Sequence, residues 1–208
     1  MSAVLLGKKL GMTSVFDDTG AQIPCTVVEA GPCTVVQVKT KDNDGYNALQ
    51  IGYDEVTERK VTKPQLGHYK KANVKPMRRL EEVRIEGDET DKKVGDTIDV
   101  SVFAAGDAVS VTGITKGKGF QGTVKRHGFS GGVRTHGQSD RLRAPGSVGQ
   151  SSYPSRVFKG IRMAGRMGGN KLTVHNLTVV KVIPESNLVL IRGAVPGSIN
   201  GLVRITKK

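Results

Sequence analysis

The run Gly117-Lys118-Gly119-Phe120-Gln121-Gly122 has the G-x-G-x-x-G spacing with which backbone amides can cradle a dinucleotide pyrophosphate. That chemistry needs a strand before the run, a helix opened by it, and an acid about 20 residues on to bind a ribose. A predicted strand does precede it. Thr123-Val124-Lys125-Arg126-His127-Gly128 is a poor start for the helix, however, and Asp140, the only downstream acid in range, sits in polar Ser139-Asp140-Arg141. Read on to Val124, the run also fits a protein-kinase glycine loop. The chain lacks the catalytic-loop and D-F-G elements such a loop serves, and at 208 residues it is too short. Beside Lys116, Lys118, Lys125 and Arg126, the glycines instead let backbone and cations approach a phosphate chain closely.

Other chemistry-bearing residues do not assemble into a catalytic pattern. His127, His136 and His175 lie in or beside the same stretch and His68 is remote, with no C-x-x-C or H-E-x-x-H spacing to suggest a metal. Two roles stay open for these imidazoles: contact with a base or phosphate, or plain solvation in a loop. Cys25 and Cys33 are too few for a structural zinc site and are expected as buried free thiols on strands. No Ser/His/Asp set or carboxylate pair stands out. Neither an enzyme activity, a cofactor, a metal nor a small-molecule substrate is expected.

Charge is informative because of where it lies. Lys and Arg number 32 against 19 acids, a net of +13. Residues 116–175 hold twelve of those cations and one acid, Asp140, together with 13 of the 27 glycines. Residues 1–115 hold fifteen cations and seventeen acids. A solvated face mixes signs; this stretch does not, so it is expected to meet a polyanion. No apolar run approaches the ~20 residues of a membrane helix, and Gly7-Lys8-Lys9 breaks the first apolar stretch before it can form an export signal. A cytoplasmic protein facing nucleic acid is the expectation.

Arg134 lies within the stretch, and over residues 141–171 Arg141, Arg143, Arg156, Arg162 and Arg166 outnumber Lys159 and Lys171. Guanidinium forks bind phosphate bidentately and stack on bases, which suits a folded RNA. Residues 144–155 carry no charge and include Ser147, Gly149, Gln150 and Ser151. Small and proline-stiffened, they read as the tip of an arm that enters a crevice too narrow for a cation.

The elements that must position this arm are predominantly β. Strands are expected at Met12–Phe16, Gln22–Val28, Cys33–Lys39, Ala48–Tyr53, Thr97–Phe103, Ala108–Ile114, Leu177–Ile183, Leu188–Ile191 and Leu202–Ile205, punctuated by Gly, Asp and Pro. Such spacing predicts a barrel or sandwich formed by residues 1–115 and 176–208. Residues 54–93 are charged and weakly periodic, and are expected as a small irregular insertion with a helix near Gln65–Ala72. Residues 116–175 lack apolar alternation and are expected to run out and back as one extension.

Several short runs together resemble one family. Thr112-Gly113-Ile114-Thr115-Lys116-Gly117-Lys118-Gly119-Phe120-Gln121-Gly122-Thr123-Val124-Lys125-Arg126 resembles the signature of the large-subunit ribosomal protein three family. Gly7-Lys8-Lys9-Leu10-Gly11-Met12-Thr13, Arg143-Ala144-Pro145-Gly146-Ser147, Phe158-Lys159-Gly160, Met163-Ala164-Gly165 and Gly193-Ala194-Val195-Pro196-Gly197 are similar to it as well, in order along essentially the whole chain. Ser110 departs from the Asp or Asn usual in the signature, which touches a local turn contact. The compact length looks bacterial or organellar. The resemblance implies a translation-protein-type β-barrel whose long internal loop threads into large-subunit ribosomal RNA early in assembly and helps shape the peptidyl transferase centre. It also implies large-subunit proteins fourteen and nineteen as neighbours, and a side-chain methylation at Gln150. Two other classes compete: a free-standing nucleic-acid binder using the same arm, and a nucleotide-dependent enzyme built on Gly117–Gly122.

Overall fold

The computed structural model describes residues 3–85 and 92–208, so residues 86–91 of the expected insertion lie outside the described residues. The described chain is mainly β. Its strands are β1 (Val4–Phe16), β2 (Gln22–Ala30), β3 (Cys33–Lys39), β4 (Ala48–Glu55), β5 (Met77–Arg84), β6 (Thr97–Ile98), β7 (Ala108–Ile114), β8 (Phe120–Gln121), β9 (Gly165–Arg166), β10 (Lys171–Ile183), β11 (Leu188–Arg192) and β12 (Leu202–Lys207). Three short helices, α1 (Lys41–Asp44), α2 (Lys63–Ala72) and α3 (Thr123–His127), interrupt them. Two compact units result: Met1–Ile114 with Lys171–Lys208, and Thr115–Asn170.

In the first unit six strands close on themselves in the order β1-β12-β7-β10-β11-β2, every neighbour antiparallel. Closure leaves no unpaired edge. Strand alternation turns Val109, Val111, Val203, Ile205, Val189 and Ile191 inward, all buried. A second sheet, in the order β5-β4-β3-β6, contributes Val35, Leu49, Ile51 and Tyr53 to the same core. Burying each such Val, Leu or Ile stabilises the fold by about 1.5–3 kcal/mol. Arg204 crosses to Glu81 of β5 at 3.1 Å. Cys25 and Cys33 are both free and buried.

Three elements differ from the sequence expectation, each for a local reason. β1 begins at Val4 and runs through Gly7-Lys8-Lys9. A Cβ on Gly7 would lie 2.6 Å from the Glu29 carbonyl oxygen, so this glycine serves close strand pairing rather than a break. The expected strand Thr97–Phe103 pairs only at Thr97–Ile98, then turns into a 3₁₀ turn, Val100–Val102. Val100 and Phe103 are buried three residues apart while Val102 is exposed, the 3₁₀ period rather than the strand period. β5 was not foreseen: its apolar residues Met77, Leu80 and Val83 recur every third position, hiding a strand that pairs along β4.

α2 forms at Pro64, where the expected helix lies. The Gln65 side-chain oxygen accepts the Thr62 N–H at 3.4 Å and its hydroxyl at 3.0 Å, and Pro64 occupies the first turn. Asn73 ends it in the left-handed region, φ 52°. Tyr69 anchors the helix: it is buried beside Val36 and Met77, and its hydroxyl donates to the Met77 carbonyl at 2.8 Å. Gly67 sits mid-helix, and a Cβ there would meet nothing within 4 Å among the described residues. Gly67→Ala will therefore raise unfolding stability by about 0.5–1 kcal/mol, read from the midpoint of a urea denaturation curve. A lower midpoint would show that the glycine is needed within the chain.

Candidate nucleic-acid interface

The second unit, Thr115–Asn170, is tied at its base by backbone bonds. Thr115 N–H donates to Asn170 O at 2.9 Å, Gly169 N–H to Thr115 O at 3.1 Å, Lys118 N–H to Met167 O at 2.9 Å and Met167 N–H to Gly119 O at 2.9 Å. Gly168, at φ 71°, turns the returning segment so tightly that a Cβ would lie 2.0 Å from the Lys116 carbonyl oxygen. β8 and β9 then pair antiparallel, Phe120 with Arg166 and Gln121 with Gly165.

The G-x-G-x-x-G run resolves here. It spans the two-residue strand β8 and does lead into a helix, but α3 is one turn of five residues closed by Gly128 at φ 75°. A dinucleotide site needs a parallel strand feeding a long helix, and neither exists here. α3 instead directs two side chains back onto the unit. The Arg126 Nη1 donates to the Met163 carbonyl at 2.7 Å, and His127 Nε2 donates to the same oxygen at 3.0 Å. Gly165 makes room for the Arg126 guanidinium, because a Cβ there would fall 2.7 Å from Nη1. Of the sequence candidates, then, Arg126 and His127 are half-buried and partly spent on internal bonds.

Lys116, Lys118, Lys125, Arg134, Arg141, Arg143, Arg156, Lys159, Arg162 and Arg166 are all exposed. Among the described residues none of them forms an ion pair. Asp140, the unit's one acid, accepts only from the neighbouring Ser139 hydroxyl, at 3.5 Å. Lys171 and His175 lie apart, on β10 in the first unit. Lys171 is 4.0 Å from Glu81, and His175 Nδ1 is 3.1 Å from the Ser110 hydroxyl. Ser110 itself is a mid-strand residue of β7 rather than part of a turn. The tip residues Ser147, Gly149, Gln150 and Ser151 are exposed, with the Ser147 hydroxyl donating to Gly149 O at 3.0 Å.

Between the tip and α3 lies a cavity of about 550 Å³ lined by Phe129, Gly131, Gly132, Gln138, Arg141 and Pro145 among others. Gly131, at φ 79°, passes so close to Leu142 that a Cβ would sit 2.2 Å from its carbonyl oxygen. Three of the unit's four aromatic residues are bare: Tyr153 is 85% exposed, Phe120 77% and Phe158 54%, the last beneath the Arg156 guanidinium at 5.7 Å, whereas Phe129 is half-buried beside His127. Such rings next to cations can stack on unpaired bases. Their signal in the sequence is aromatics interleaved with Lys and Arg in a stretch with no core of its own.

A closed β unit joined to a second unit rich in unpaired cations, bare aromatics and glycine is the make-up of a structural component of a ribonucleoprotein particle. Among the described residues no three His, Cys, Asp or Glu side chains could hold a metal, and no helix is long and apolar enough to cross a membrane. A family described as ribosomal protein L3 matches residues 33–186. The chain is 58% identical to "Large ribosomal subunit protein uL3" of Chloroherpeton thalassium, covering 99% of this chain and 98% of that one. It is 59% identical to the protein of the same name from Chlorobaculum tepidum, over 97% and 96%, and 51% identical to that from Brachyspira pilosicoli, over 98% and 92%. The chain belongs to the ribosomal protein L3 family. Membership makes it a structural constituent of the large subunit of the cytoplasmic ribosome and not an enzyme, among ribosomal RNA and neighbouring ribosomal proteins.

Proposed function

We propose that this chain grips large-subunit ribosomal RNA through an arm spanning 116–175, early in subunit assembly, and that residues 144–155 at its tip help shape the peptidyl transferase centre. Exposed cations without an ion pair among the described residues support this reading most strongly. Ten of them stand in Thr115–Asn170 against one acid, and cations left in water by their own protein neutralise phosphate at little desolvation cost. Arg126 and His127 serve differently, holding Met163 so that the cations on either side of it keep their spacing. Lys171 sits on β10 in the first unit and is proposed as a further phosphate contact. Gln150, exposed at the tip, is the residue proposed to be methylated on its side-chain amide. Large-subunit proteins fourteen and nineteen are the proposed protein neighbours. Sedimentation tests the reading: the tagged chain will travel with large subunits and stay with them through a high-salt wash. A chain that remains in the ribosome-free fractions would favour a free-standing RNA binder instead.

A further inference from the structure

We infer that the first unit carries a second phosphate-binding surface for the same RNA, on the segment from Arg59 to Arg79, independent of the arm. This rests on the reading that the chain binds large-subunit ribosomal RNA, and adds a site to it. The near-neutral balance of residues 1–115 hides this segment. Between Arg59 and Arg79 stand eight Lys and Arg and no acid at all. All eight are exposed. Two are answered by acids of β4, Lys75 by Glu55 at 3.1 Å and Arg78 by Asp54 at 3.5 Å. Among the described residues Arg59, Lys60, Lys63, Lys70, Lys71 and Arg79 form no ion pair.

The scaffold under these charges is rigid, unlike a solvated charge cloud. Tyr69 pins α2 to Val36 and Met77, which fixes the opposite side of the helix outward. Lys63, Lys70 and Lys71 fall at i, i+7 and i+8, on one stripe spanning about 12 Å of helix axis. Gly67 lies on that same stripe, at i+4. A glycine weakens a helix interior, yet among the described residues nothing lies within 4 Å of where its Cβ would stand. Its use is therefore external: it leaves a gap between the lysines where a sugar–phosphate backbone can approach the helix. Farther along, Arg78 and Arg79 join Lys8, Tyr53 and Asn200 around a cleft of about 250 Å³. Asp54 is the one acid in that cleft, and it is engaged by Arg78. Lysine and arginine stripes with hydrogen-bonding side chains between them suit the repeating charge of an RNA backbone better than an acidic protein segment, whose carboxylates would be irregular in spacing.

Binding of the full-length chain to deproteinised large-subunit ribosomal RNA, followed against salt, tests this. The triple substitution Lys63→Ala, Lys70→Ala and Lys71→Ala keeps helix-forming residues at exposed positions, so α2 stays intact. The slope of log K against log salt should become shallower by about 2–3, three contacts at roughly 0.7–0.9 each. Gly67→Leu should weaken binding with the charges untouched, whereas Gly67→Ala should leave it nearly unchanged. Footprints should lose RNA positions that remain protected when Arg141, Arg143 and Arg162 are replaced by Ala. An unchanged slope and footprint in the triple variant would overturn the inference, and so would a variant that binds RNA normally but yields subunits lacking a neighbouring protein. If the unaltered chain shows no salt-dependent binding at all, it is the RNA-binding reading itself that fails.

Discussion

Replacing Thr115–Asn170 by an Asn-Gly turn will leave the strand ring folded and remove most of the chain's salt-dependent affinity for large-subunit ribosomal RNA. The splice is geometrically mild, because Ile114 and Lys171 are already paired across β7 and β10 and a two-residue turn closes an antiparallel pair. The core residues of the ring all lie outside the excised segment. Eleven Lys and Arg leave with it, and one acid. If about six of those cations meet phosphate, the log–log salt slope falls by roughly 4–5, equivalent to about a thousandfold in affinity between 50 and 200 mM salt. Circular dichroism of the spliced chain checks the fold, and filter binding at several salt concentrations checks the slope. A spliced chain that folds and keeps the full slope would place the RNA site elsewhere.

The second large effect divides the arm by charge. Arg141, Arg143, Arg156 and Arg162 are exposed and, among the described residues, without ion pairs. Alanine at each should weaken RNA binding by about 1–3 kcal/mol, the loss of a charge-assisted contact, and added salt should deepen the assembly defect. Arg126→Ala should do more than remove a charge, because it also releases Met163; its arm should exchange amide hydrogens faster near 163 than that of the other variants. Residues 147–153 carry no charge, so substitutions there should barely change affinity. Enlarging Ser147 or Gly149, or altering Gln150, should give subunits in normal yield with altered peptidyl transfer or altered sensitivity to drugs bound nearby. Tip variants that fail to assemble but react normally once assembled would refute this division.

Much of this architecture could be read from residues, and each miss has its own physical cause. Ala108–Ile114 was legible to the residue because Val109 and Val111 alternate at the strand period, and Cys33–Lys39 because its β-branched run is bounded by Gly31-Pro32, although its pairing with β4 slips between Val35 and Gln37. β10 was legible only from Leu177, although it begins at Lys171. Its pairing with β7 slips between Val174 and Leu177, with Asn176 at φ 58°. Apolar residues therefore sit at 172 and 174 before the slip and at 177 and 179 after it, and the phase change masks the first half. The cations of the arm were visible because no acids dilute them. Those of Arg59–Arg79 were not, since seventeen acids elsewhere in residues 1–115 cancel them in any average over the unit. The link from Arg126 and His127 to Met163 could not be seen at all, because its acceptor is a main-chain carbonyl 36 or 37 residues away.

The central claim, an arm tip set into ribosomal RNA at the peptidyl transferase centre, can be tested by hydroxyl radicals released from one position at a time. The chain's own thiols will not take the iron chelate: Cys25 and Cys33 are buried, and burial pushes the Cys33 thiol up to about 11, so it stays protonated and unreactive. Chelated iron on Ser151→Cys, at the exposed tip, is compared with iron on Asp18→Cys, in an exposed turn of the first unit. In reconstituted large subunits the Ser151 probe should cut RNA of the peptidyl transferase centre and the Asp18 probe should not. Cuts from Ser151 confined to other RNA, or matching those from Asp18, would contradict the account.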